Sequence, residues 1–290
     1  MSLSTSLPAD LPWNDQHAFL LLDGATEPNL LERLKQHDPG VSTIALFDTT
    51  SFTELREISP LLVTIEHPDA AIFQFFCEHA HEEWGVLLFS AEPAHGVAQH
   101  LRKLLTVEMP EGLPVMLRLA DAAVARVLFG SNDARLSGPL SCVVTADCVG
   151  TNWHRHQPQP RLVEHPDLPT PYRLSAQQNS ALDHADQRRA LIELDAHLLS
   201  YFPTHHGGET LAQRWPRLEQ LLQQALALGL SSKSDLFFYA NAMAALDGST
   251  PEQHSHIHRL LHTPSLQSPG ERVVLAAQLA HQWTTQRSRS

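Results

Sequence analysis

Between residues 158 and 171 the chain carries Pro158, Pro160, Pro166, Pro169 and Pro171. Proline has no amide proton to donate, and it pushes the residue before it out of the helical region. Neither a helix nor a central strand is therefore expected to run through this stretch. The 290 residues divide into an α/β lobe over 1–155, a proline-rich linker over 156–172 and a helical lobe over 173–290. Each lobe is long enough to bury a core of its own.

The hydrophobic pattern changes across that stretch. Before it, Phe19-Leu20-Leu21-Leu22, Thr43-Ile44-Ala45-Leu46-Phe47, Leu61-Leu62-Val63-Thr64-Ile65, Val86-Leu87-Leu88-Phe89, Val115-Met116-Leu117 and Leu140-Ser141-Cys142-Val143-Val144 read as six strands. Segments 29–36, 70–81, 94–105 and 121–129 read as helices between them. Strands that are apolar at nearly every position point to a sheet covered on both faces, and the strand-helix alternation favours a mostly parallel or mixed sheet flanked by helices.

After the prolines, Leu191, Leu194, Leu198 and Phe202 form a helical stripe, as do Leu211, Trp215, Leu218, Leu222 and Ala225. Ser175 with Gln178, Thr250 with Gln253 and Ser268 with Glu271 each place a capping hydroxyl three residues before a side chain that can answer it. Gly229 and Gly248 stand where left-handed C-caps belong. Five helices follow, near 175–202, 209–228, 232–247, 251–262 and 269–286, so this lobe is all-α.

Charge narrows the partners. The net charge is −12, and residues 1–155 hold twenty acidic against nine basic side chains. An acidic lobe repels polyphosphate, which argues against nucleic acid and favours a basic or polar protein surface. Met1 to Asp10 has no basic flank followed by an apolar stretch, and no apolar run reaches the roughly 20 residues that span a bilayer. A cytoplasmic protein without membrane insertion is expected. Cys77, Cys142 and Cys148 form no C-x-x-C pair and suit buried thiols in a reducing compartment.

Catalytic and cofactor signatures are missing. There is no G-x-S-x-G, no phosphate loop and no G-x-G-x-x-G, and thirteen glycines leave few places for backbone to approach a phosphate. Nineteen histidines include His79/His81, His154/His156, His205/His206 and the run His254, His256, His258. On a helix, residues two apart point in different directions, so these spacings do not build a metal site there. No cofactor and no metal are expected. Asp23, at the end of the first strand in Leu22-Asp23-Gly24-Ala25, reads either as a turn residue or as a strand-end carboxylate. Arg118 ends a strand and Asp121 opens a helix, which reads either as a structural clamp or as a partner-binding site. An alternative function is a hydrolase using Asp23, Asp121 and a histidine.

In order along the chain stand His17 to Ala25, Leu46-Phe47, Ser59-Pro60-Leu61-Leu62-Val63, Trp84-Gly85 with Ser90, His100-Leu101-Arg102, Arg118 with Asp121 and Val124, and Gly138-Pro139. This succession, over 17–153, resembles the type VI secretion effector-adaptor family, long described as a domain of unknown function, DUF4123. The later Leu174-Ser175, Tyr201-Phe202-Pro203, Ala227-Leu228-Gly229-Leu230 and Phe238-Tyr239-Ala240 are similar to the helical region that often follows that domain. The chain departs from the family at Ala123, where a second arginine is common, at Ser59, where glycine is usual, and at Asp48-Thr49. The resemblance implies a non-catalytic adaptor or chaperone. It would bind a toxic effector near the effector's N-terminal region, together with the C-terminal region of the VgrG spike. Asp23, Phe47, Arg118 and Asp121, at the ends of predicted strands, are the expected partner contacts, and Trp84 is expected in the core.

Overall fold

The computed structural model describes residues 3, 6–27, 29–131, 133–157, 168–203, 209–263 and 265–287. Most of the predicted linker and the His205/His206 pair lie outside the described residues. By its contacts the chain divides into two compact units, 1–185 and 186–290.

The first unit is built on a six-stranded sheet. Its strands are β1 (His17–Leu22), β2 (Thr43–Ala45), β3 (Leu61–Ile65), β4 (Gly85–Ser90), β7 (Leu140–Asp147) and β8 (Asn152–His156), in the order β2-β3-β1-β4-β7-β8. Side chains alternate between the two faces of a strand. Accordingly Phe19 and Leu21 enter one core while Ala18, Leu20 and Leu22 enter another. The first core is closed by helices α3 (Ala94–Lys103) and α4 (Ala122–Gly130), the second by α1 (Leu30–His37) and α2 (Ala71–Glu78). Burial on both faces explains why β1 and β4 read as unbroken apolar runs, and Trp84 is buried in the second core.

The sheet corrects the expected strand direction. Every neighbouring pair in it is antiparallel, with Leu20 opposite Val63 on one side and Leu87 on the other. Hydrophobic periodicity records how many faces of a strand are covered and carries no sign for its direction. A two-faced antiparallel sheet therefore has the same apolar pattern as a parallel one.

A second, three-stranded sheet has the order β6-β5-β9, from β5 (Thr106–Glu108), β6 (Pro114–Met116) and β9 (Tyr172–Arg173). The predicted strand around Val115 belongs here. β9 runs parallel to β5, with Val107 opposite Tyr172, and Leu168, Tyr172 and Leu174 join the first core. A short helix, α5 (Ala134–Ser137), precedes β7.

The second unit holds the larger part of α6 (Ala176–Tyr201), then α7 (Leu211–Ala227), α8 (Lys233–Leu246), α9 (Ser255–His262) and α10 (Pro269–Arg287). Leu194, Leu198, Leu218, Tyr239, Ile257 and Ala276 share its core. The three predicted capping pairs form: Ser175 and Thr250 exchange bonds with Gln178 and Gln253, and Ser268 does so with Glu271. Gly229 and Gly248 take φ of +78° and +72°, the left-handed conformation that lets the chain turn after a helix. No helix among the described residues is long and apolar enough to cross a membrane.

Candidate functional site

The strand-end residues converge at one end of the large sheet. β1 stops at Leu22, and the Asp23 carboxylate closes an Asx turn by accepting the Ala25 N–H at 2.9 Å. Its other oxygen accepts the Thr26 hydroxyl at 3.0 Å and Arg118 Nη2 at 2.5 Å. Arg118 Nη2 also donates to Thr26 Oγ1 at 2.9 Å. Turn residue and charged clamp are thus the same residue. Asp23 is 4% exposed, whereas the Arg118 side chain is 38% exposed. Gly24 follows because a Cβ there would sit 2.4 Å from the Ser59 carbonyl oxygen.

Around this pair the ordered residues act as joinery. Ser59 Oγ accepts the Phe47 N–H at 3.0 Å, and Arg102 Nε and Nη2 donate to the Leu46 and Ala45 carbonyls at 3.0 and 3.1 Å. The short strand β2 is held from two sides. The Phe47 ring is 5% exposed and packs on Phe52. Asp121 caps α4, its Oδ1 accepting the amides of Ala123 and Val124 at 2.9 and 3.1 Å. His100 bonds the Leu136 carbonyl at 2.8 Å beside Gly138, and Ser90 donates to the Pro139 carbonyl at 2.8 Å. Of the four expected contacts the fold joins Asp23 to Arg118. Asp121 is tied to Arg118 through a backbone bond to its carbonyl, and Phe47 is in the core.

A larger feature of this unit escapes a linear reading. The C-terminal half of α4, the α5 region, β9 and the first turns of α6 line an open groove of about 1010 Å³. Arg135 donates to Asp133 through Nε at 2.9 Å and Nη2 at 2.6 Å, and its guanidinium lies 5.4 Å from the centre of the Tyr172 ring. The Tyr172 hydroxyl donates to Asp133 at 2.9 Å and accepts Gln178 Nε2 at 2.9 Å. Those donors, Arg135 foremost, hold the Asp133 carboxyl at about 2. Arg173 donates to Glu108 at 2.9 Å, and Arg126 donates to the Ala146 carbonyl and lies 3.7 Å from Glu83. Asp133 also caps α5, its Oδ1 accepting the Arg135 amide at 3.0 Å. Its partner Tyr172, and Gln178 bonded to Tyr172 in turn, come from beyond the prolines.

Reactive groups are quiet. Burial pushes the Cys77 thiol up to about 11 and raises that of Cys142, so neither is a thiolate at neutral pH. Burial, with His154 and Arg126 nearby, lowers His156 to about 4. Among the described residues no group of three or more histidines, cysteines and carboxylates could hold a metal ion. His258 and His262, four apart on α9 and stacked at 4.2 Å, make a helical pair that reading His254, His256 and His258 passes over.

Comparison with known proteins agrees with the ordered motifs. Residues 18–136 match the family described as "Domain of unknown function (DUF4123)". Over 275 residues the chain is 28% identical to "Accessory protein VasW" of Vibrio cholerae serotype O1 (strain ATCC 39315 / El Tor Inaba N16961), covering 92% of this chain and 88% of that protein. No solved structure matches it significantly. Through residues 18–136 the chain matches the DUF4123 family, the family that its succession of strand ends, turns and clamps resembles.

Proposed function

We propose that this protein is a type VI secretion adaptor that binds a cognate effector near the effector's N-terminal region and the C-terminal region of the VgrG spike. It loads the first on the second in the cytoplasm and performs no chemistry of its own. The observation that carries this reading is similarity to an accessory protein along nearly the whole chain, helical unit included. A role confined to one domain would not require that. The geometry agrees: both Asp23 oxygens are engaged by donors, Asp121 is bonded to backbone amides, and the buried thiols are protonated. A hydrolase would need one of those carboxylates free to exchange a proton. The groove of the first unit is broad and open, a shape suited to holding a polypeptide.

The test is co-purification. The full chain, tagged, is mixed with a VgrG C-terminal fragment and with the effector encoded beside it, at low and at moderate salt. Stable capture of both is expected; capture of neither overturns the reading.

A further inference from the structure

The groove of the first unit differs in charge from the unit that contains it. Its lining presents Arg126, Arg135 and Arg173, each beside one carboxylate (Glu83, Asp133 and Glu108), so it is balanced in charge where residues 1–155 as a whole carry twenty acidic and nine basic side chains. Two of those guanidiniums are open to solvent, Arg135 at 43% and Arg173 at 63% exposure. Both are oriented by a carboxylate on Nε and Nη2, and no described residue takes Nη1 of either. A guanidinium braced along one edge keeps its planar fork ready for a second carboxylate at little further entropic cost. The groove also has backbone to offer: among the described residues β9 ends its sheet, and a sheet edge can pair with an added extended segment.

We propose that this groove is the seat of an acidic, extended polypeptide segment whose carboxylates engage Arg135 and Arg173. The assignment rests on the adaptor reading for its biological meaning, and the segment would belong to the effector. The acidity of the rest of the lobe acts as a filter. It repels an acidic chain everywhere except along the groove, which sets the register of the segment.

The test uses the purified full chain and two fluorescein-labelled peptides of about twelve residues, roughly 40 Å when extended. One alternates Glu with Ser, the other Lys with Ser. With a net charge of −12 the protein as a whole favours the lysine peptide, so preference for the glutamate peptide cannot come from overall charge. Anisotropy titrations should show the Glu peptide binding at least about tenfold more tightly, with affinity falling as salt rises. Arg173→Gln and Arg135→Gln should each weaken it about fivefold or more. Arg56→Gln, which removes an exposed charge outside the groove, should change it less than about twofold. Equal binding of both peptides, preference for lysine, or equal losses in all three variants would overturn the assignment. Capture of spike and effector without peptide selectivity removes only the groove proposal. Selectivity without either capture removes only the loading reading.

Discussion

Breaking the Asp195–Arg214 pair should unfold the helical unit far more readily than replacing both residues together. Asp195 lies on α6 and Arg214 on α7, 5% and 2% exposed, and the guanidinium meets the carboxylate through Nε and Nη2 at 2.6 Å each. Arg214 Nη1 also donates to the Glu209 carbonyl. Asp195→Ala strands a buried guanidinium that, among the described residues, keeps only this backbone partner. Loss of one partner of a buried pair costs about 3–5 kcal/mol, and the remaining bond places this case near 3 kcal/mol. In a unit of this size each kcal/mol moves the melting temperature by about 4–8 °C, so a drop of roughly 12 °C or more is expected. Asp195→Leu combined with Arg214→Met removes both charges and fills the space. It should lie within about 2 kcal/mol of the parent, because the desolvation penalty vanishes along with the attraction. Thermal melts by far-UV circular dichroism on the parent, Asp195→Leu, Arg214→Met and the double variant complete the cycle, with Asp195→Ala measured beside them. A double variant as unstable as the worse single one, or single variants costing under about 1 kcal/mol, would show that the pair is not desolvated as its burial implies.

Two further outcomes concern the first unit. Gly24→Ala should cost about 1–3 kcal/mol through the clash of its Cβ with the Ser59 carbonyl, whereas Gly40→Ala, with only an Asp38 side chain at 3.4 Å, should be nearly neutral; equal urea midpoints for the two would refute the packing argument. His156 is held neutral in the fold, at about 4 against 6.5 when free, so its contribution is complete above pH 6.5 and is lost as pH falls from there through 4. After discounting for the partial exposure of the ring, this amounts to about 1–2 kcal/mol. His156→Asn should flatten that part of the stability profile between pH 7 and 4.5, while Asp133, at about 2, stays ionised across the window. An unchanged slope in the variant would assign the pH dependence elsewhere.

Much of the local architecture was legible in the residues alone, because it depends on neighbours a few positions apart. The helices α6 to α10, the three capping pairs and the glycines after α7 and α8 follow from spacings of three or four residues and from left-handed turns. The strands β1, β3, β4 and β7 were visible as apolar runs. Asp23 and Arg118 could each be singled out at a strand end, yet their partnership could not. They stand 95 positions apart, and only packing of the fold puts them 2.5 Å from one another.

The order of the residues by itself determined the helices, the apolar strands such as β1, β3, β4 and β7 and how many of their faces are covered, since backbone propensity and amphipathic period are local properties, while β5, β8 and β9 carry no such run and were not legible in it. Tertiary structure decided that the sheet is antiparallel, that β9 returns to pair with β5 after the prolines, and that Asp133, Tyr172 and Gln178 share one network beneath the groove. Those outcomes depend on which apolar faces are buried against each other across long stretches of chain, and that choice belongs to the free energy of the whole fold and to no segment of it.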